Sequence, residues 1–139
     1  MRHDWTMLCN EVHTHDTGAI GLENVFSTLQ VTSPYGSVEN AELVLFDPPA
    51  LLVSRWTAEF EAERRVHSAT VQLMAPGGDH VLWAESVAFD FRNQTSFLMV
   101  YILQNIEFVG TGTYEFHVLL EENRVIGEWG RASLEISED

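Results

Sequence analysis

Apolar and polar residues alternate with a period of two along most of this chain, and that period belongs to strands with one buried face. Ala69, Val71 and Leu73 alternate with Thr70, Gln72 and Met74. Val81, Trp83, Val87, Phe89 and Phe91 share one parity, against His80, Ala84, Ser86, Ala88 and Asp90. This places Trp83 in the core, while Glu85 interrupts the apolar face and predicts a bulge or an open sheet edge. Tyr114, Phe116, Val118 and Leu120 alternate with Glu115, His117, Leu119 and Glu121. Near the end, Ala132, Leu134 and Ile136 face inward against Arg131, Ser133 and Glu135.

Other stretches are less regular. Trp5 to Val12 reads as a first strand that ends in the polar turn His13–Gly18. Ile20 to Val31 fits a bent strand or a strand pair, with a helical turn over Glu23–Phe26 as the local alternative. Leu43–Phe46 is a short apolar run stopped by Asp47-Pro48-Pro49, a loop or an edge. From Val53 onward, Ser54, Trp56, Ala58, Phe60 and Ala62 make a buried strand face, with Glu59, Glu61 and Glu63 outward. Leu98, Val100, Ile102, Ile106 and Phe108 form one set, and Phe97, Met99, Tyr101 and Leu103 the opposite one. Periodicity leaves a helix open there, but β-branched and aromatic content favours a strand. Turn signals fall at Ser33–Gly36, Ala75–Asp79, Asn93-Gln94, Gly110–Gly112 and Glu122-Asn123. Seven to eight short strands so punctuated predict an all-β fold, an immunoglobulin-like or related Greek-key β-sandwich spanning 1–139 as one domain. Tyr114, opening a strand after Gly112, is placed to return its hydroxyl to nearby backbone as a corner tyrosine.

Charge narrows the choice of partners. The chain has 21 acidic and 7 basic residues, a formal charge of -14, and every basic residue is an arginine. Such a surface repels nucleic acid and anionic membranes; solubility or an acidic, lysine-poor source is its first reading, and attraction of a basic partner the alternative. Cys9 is the only cysteine, which excludes an internal disulfide and fits a reducing compartment. Met1–Trp5 has no apolar stretch behind it, and no run has the length of a membrane helix. The expected location is cytoplasmic.

Candidate chemistry is sparse. Glu11, His13 and His15 would point the same way on a strand, with Asp16 beside them. Imidazole and carboxylate can together ligate zinc or a related ion. The same polar residues suit a solvated turn, and no cofactor is expected. Cys9 lies in an apolar strand, where cysteine is commonly buried and inert. His3, His67, His80 and His117 are scattered. No phosphate-binding glycine loop, GxSxG, HExxH or CxxC occurs. Trp5, Phe46 and Trp129 are the candidates for an interaction surface, since aromatics there supply large contact area. The sequence therefore reads first as a non-enzymatic protein-interaction or assembly module, with a protein partner or self-association. Alternatives are a small metal-dependent hydrolase built on Glu11, His13 and His15, and an acidic mimic or inhibitor that docks on a basic protein.

Met7-Leu-Cys-Asn-Glu-Val12, Gly18-Ala-Ile-Gly-Leu22 and Val25-Phe26 resemble the opening of an uncharacterised family of small bacterial all-β domains. Ile106-Glu-Phe108 and Gly112-Thr-Tyr114-Glu-Phe116 are similar to that family's end, so the resemblance is strongest at residues 7–26 and 106–116. It implies a β-domain and carries over no activity and no catalytic residue.

Overall fold

The computed structural model describes residues 1–31, 42–44, 49–104, 106–122 and 125–138. The expected turns at Ser33–Gly36 and at Asn123, and the interaction candidate Phe46, lie outside the described residues. The chain is all-β, with twelve strands among the described residues rather than the seven or eight expected. The excess comes from short pieces. These are β2 (Glu11–Thr14), β3 (Ile20–Glu23), β4 (Thr28–Val31), β5 (Glu42–Val44) and β10 (Ile106–Phe108). All five lie in stretches read from sequence as continuous or irregular.

Two sheets enclose the core. The larger has the order β4-β12-β11-β7-β8, where β7 is Val66–Met74, β8 Val81–Asp90, β11 Gly112–Glu122 and β12 Val125–Glu138. Its pairs are antiparallel except β4 against β12, which runs parallel from Thr28↔Glu135 to Val31↔Glu138. The smaller sheet is β1-β6-β9, with β1 Arg2–Cys9, β6 Ala50–Thr57 and β9 Ser96–Leu103. Strands β10 and β5 form a separate pair, as do β2 and β3.

The alternations read from sequence fill the space between the two sheets. Ala69, Val71 and Leu73 from β7, Tyr114, Phe116, Val118 and Leu120 from β11, and Ala132, Leu134 and Ile136 from β12 are all buried. Leu52 and Trp56 from β6 and Met99 and Leu103 from β9 meet them in one cluster. Aromatic rings join the layers. Phe89 stacks on Phe97 with centroids 5.0 Å apart, and Trp56 tilts against Phe89 at 5.8 Å. Fully burying such rings contributes roughly 2–3 kcal/mol each.

The buried polar groups of Trp56 and Ser54 are bonded. The Trp56 indole N–H donates to Ser54 Oγ at 2.7 Å. Ser54 shares a 2.7 Å hydrogen bond with Thr6 Oγ1, which in turn meets His3 Nε2 at 2.7 Å. This chain of hydrogen bonds leads a donor in the core toward the sheet edge, so the indole is buried without an unsatisfied N–H.

Tyr114 does what a corner tyrosine does. Its hydroxyl donates to the Gly110 carbonyl at 2.6 Å and accepts from the Val109 N–H at 2.8 Å, with the ring fully buried. Gly112, two residues before it, has φ +138°, and a Cβ there would lie 2.8 Å from Pro76. Both the conformation and the space require glycine at this corner.

Several expectations need correction. Strand β6 ends at Thr57, and Glu61–Glu63 form a 3₁₀ turn, so Glu59, Glu61 and Glu63 do not line one strand face. The Glu63 carboxylate accepts from the Glu59 and Phe60 N–H groups at 2.9 and 3.0 Å, and this local capping turns the chain. Phe60 is consequently 69% exposed rather than buried, and Ala62 is exposed with it.

Residues 98–102 form a strand, and its inward set is Phe97, Met99, Tyr101 and Leu103. Val100 and Ile102 point outward and are exposed. Trp83 is half-buried, because β8 rises out of the core toward its start: Val81 is exposed, whereas Phe89 and Phe91 are fully buried. Glu85 stays in regular register with Val71, and the irregularity falls between Leu73↔Trp83 and Met74↔Val81. The open-edge reading of Glu85 fits the described residues, among which β8 ends the five-stranded sheet. At Glu23–Phe26 there is no helical turn. Asn24 takes φ 54°, and Phe26 bridges back to Leu8.

Candidate metal centre

Strand β1 is buried at Leu8 and Cys9, breaks at Asn10 and re-forms as β2. There it pairs with β3 in the register Glu11↔Glu23, Val12↔Leu22, His13↔Gly21 and Thr14↔Ile20. The turn between them closes through His15 N–H to the Ala19 carbonyl at 2.8 Å and Gly18 N–H to the His15 carbonyl at 2.9 Å, with Gly18 at φ +85°. Below the hairpin, Asn10 N–H donates to the Glu23 carbonyl and Phe26 N–H to the Leu8 carbonyl, each at 3.0 Å. The hairpin thus extends the edge strand β1 as an arm.

Alternation gives this arm two unlike faces. Val12, Thr14, Ile20 and Leu22 share one. Thr14, Gly18 and Ile20 line a groove of about 260 Å³ with Arg55, Gln94, Ser96 and Leu98, so this face lies toward the smaller sheet. Glu11, His13 and Glu23 share the other, exposed to solvent. His13 Nε2 lies 3.3 Å from a Glu11 carboxylate oxygen and 3.4 Å from one of Glu23, and the three ligand atoms fall within 4.8 Å of one another.

Sequence reading placed Glu11 and His13 in this cluster, and the structure keeps both. It replaces the other two members. His15 and Asp16 belong to the turn, and Glu23 from the opposite strand takes the third corner. His15 Nε2 stands 3.4 Å from the Cβ position of Gly21, over the strand partner of His13. Glu23 was findable, because a turn centred on Thr17 sets it opposite Glu11.

Two of the three separations can be compared with a coordination geometry. At 3.3–3.4 Å the imidazole-to-carboxylate approaches are long for N–H···O hydrogen bonds. They match the roughly 3.4 Å edge of a tetrahedron with metal–ligand bonds of about 2.0–2.1 Å. One imidazole nitrogen and two carboxylates form a borderline-to-hard donor set that zinc and related divalent ions accept.

The other candidates fall elsewhere. Cys9 is fully buried in β1, and burial pushes its thiol pKa up, the reverse of an activated nucleophile. Trp5 is half-buried on β1 opposite Arg55. Trp129 is 40% exposed, carries the His117 ring at 4.6 Å and lies 5.4 Å from the Arg131 guanidinium. His117 also bonds Glu115 at 2.8 Å, which makes Trp129 part of a polar surface cluster on the larger sheet. No helix among the described residues is long and apolar enough to cross a membrane. Comparison with protein-family models, curated proteins and solved structures returned no match.

Proposed function

We propose that this chain binds a divalent metal ion on the β2–β3 hairpin through Glu11, His13 and Glu23. The observation that carries the reading is the spacing of the three ligand atoms, 3.3 and 3.4 Å from the imidazole nitrogen to the two carboxylates. Three protein ligands leave a coordination position for water. A zinc-bound water ionises near pH 7 and is a hydrolytic nucleophile, the basis of the hydrolase version of this reading. The groove lies on the opposite face of the hairpin, so a substrate would reach the ion from open solvent. Ion binding is the step the geometry supports, and hydrolysis extends it. Protein purified without an affinity tag should take up one equivalent of Zn²⁺ in calorimetric titration. His13→Ala and Glu23→Gln should each weaken uptake at least tenfold, and Asp16→Asn should leave it within twofold. Absence of stoichiometric uptake, or equal uptake by H13A, overturns the proposal.

A second reading, a protein-interaction module, rests on apolar side chains left open on the smaller sheet. Met7 and Val100 flank the buried Val53 of β6 from the two neighbouring strands, Ile102 stands two residues farther along β9, and all three are exposed. Self-association there must overcome repulsion between two acidic copies, so it should tighten as salt rises, whereas docking on a basic partner should weaken. Sedimentation at low and high ionic strength distinguishes these cases, and a strict monomer in both ends the self-association version. The immunoglobulin-like or Greek-key assignment draws its support from the Tyr114 corner and the two-layer core. Cytoplasmic location and kinship with the bacterial β-domain family belong to the same proposal.

A further inference from the structure

Strands β8 and β9 are the last strands of the two sheets on the same side of the core, and among the described residues each pairs along one edge only. They are connected through the turn after Phe91, where Phe97 packs against Phe89 and Phe91 and closes the space between the layers. Farther along, the layers part. Leu82, Trp83, Glu85, Tyr101, Ile102 and Gln104 line a groove of about 370 Å³ there. Trp83 and Tyr101 meet at 5.4 Å with their planes inclined by 59°, so they form an aromatic corner in the wall of the groove. The Tyr101 hydroxyl donates to the Glu85 carboxylate. That bond fixes the carboxylate at the rim through one oxygen and leaves the other to accept from a ligand.

We infer that this groove receives an arginine or lysine side chain from an extended segment of a basic protein partner, a step that rests on the interaction reading above. A cation over Trp83 and Tyr101 gains from the ring quadrupoles, and Glu85 neutralises it. Among the described residues Glu85 is the only charged one in the groove's lining, and the chain as a whole carries -14. Among the described residues the outer edge of β8 has no partner strand, and its backbone N–H and C=O groups would take an added strand that holds the incoming side chain in place. Raising Tyr101 toward a pKa of about 12, through burial and then the Glu85 bond, keeps its hydroxyl a donor at any physiological pH.

A short peptide of alternating valine and arginine is the probe, with its citrulline counterpart as the uncharged control. Calorimetry should show the arginine peptide binding and the citrulline peptide at least tenfold weaker. Glu85→Gln should weaken the arginine peptide about tenfold, and Glu61→Gln, which removes the same charge from a remote exposed site, less than twofold. Trp83→Leu should weaken it similarly to E85Q. If W83L fails to fold, the comparison of E85Q with E61Q still decides. Equal losses in E85Q and E61Q would reduce the effect to general attraction by an acidic surface and overturn the proposal. Equal binding of the citrulline peptide would do the same. Self-association abolished by E85Q would assign the groove to a second copy instead and overturn the proposed partner. None of these outcomes depends on whether the outer face of the smaller sheet supports dimers.

Discussion

Two tryptophans show how far a side chain's energetic weight departs from its identity. Trp56 is fully buried, with its N–H bonded to Ser54, whereas Trp83 shares the parity of buried neighbours but sits where β8 leaves the core. Trp56→Ala should cost about 3–5 kcal/mol through lost burial and a cavity, and Trp83→Ala about 1–2 kcal/mol. Denaturant melts of the two variants check the difference, and equal losses would contradict it. Parity in the sequence identified the face of Trp83 correctly. It carried no information on how far along β8 the opposite sheet extends, because that depends on where β9 diverges from β8 in space, which the parity of one strand does not encode. Tyr101 has a different signature. Burial first, then the hydrogen bond to Glu85 and its charge, push the phenol up from 10.0 to about 12. A folded-state pKa above the unfolded value gives stability that is complete below pH 10 and lost as pH rises through 12. Ultraviolet titration should find a tyrosine that ionises near pH 12, and Glu85→Gln should lower that value. An unchanged titration curve in E85Q would remove the link.

At the level of elements, strands with one apolar and one polar face were legible, and those with two similar faces were not. β7, β11 and the Arg131–Ile136 part of β12 took the faces their alternation assigned. β9 is apolar on both parities, and only its pairing with β6 decides that Phe97, Met99, Tyr101 and Leu103 go inward. The acidic stretch after β6 was misread because three glutamates at alternate positions mimic a solvated strand face, while Glu63 instead caps local backbone. The cluster of Glu11, His13 and Glu23 was half legible for a related reason. Glu11 and His13 share a strand, but Glu23 joins them only once the hairpin register is known. Among the described residues β2 and β3 pair only with each other, so this arm should open more easily than the sheets. Amide hydrogen exchange should be faster over Glu11–Thr14 than over Ala50–Thr57, and Zn²⁺ should slow it selectively on the hairpin. Slow exchange without metal would contradict the expected weakness of the arm.

Across the whole molecule, the parallel contact between β4 and β12 has a consequence in time. It joins Thr28 to Glu135 and Val31 to Glu138, the two ends of a long chain segment, whereas β7 with β8 and β11 with β12 pair neighbours in sequence. Loop closure costs entropy before a distant pair gains anything, so contacts of this kind form late. The hairpins should therefore assemble before the barrier and the β4 strand dock after it. Leu29, half-buried and paired with Ile136, reports on that step. Leu29→Ala should accelerate unfolding several-fold and leave the refolding rate within twofold. Stopped-flow measurements in denaturant would show it as a shift of the unfolding limb alone. Slower refolding of equal size would place β4 in the nucleus. If β4 docks late, it is also the strand whose release comes first when the protein unfolds, and the lifetime of the native state is set at this parallel edge more than in the aromatic core.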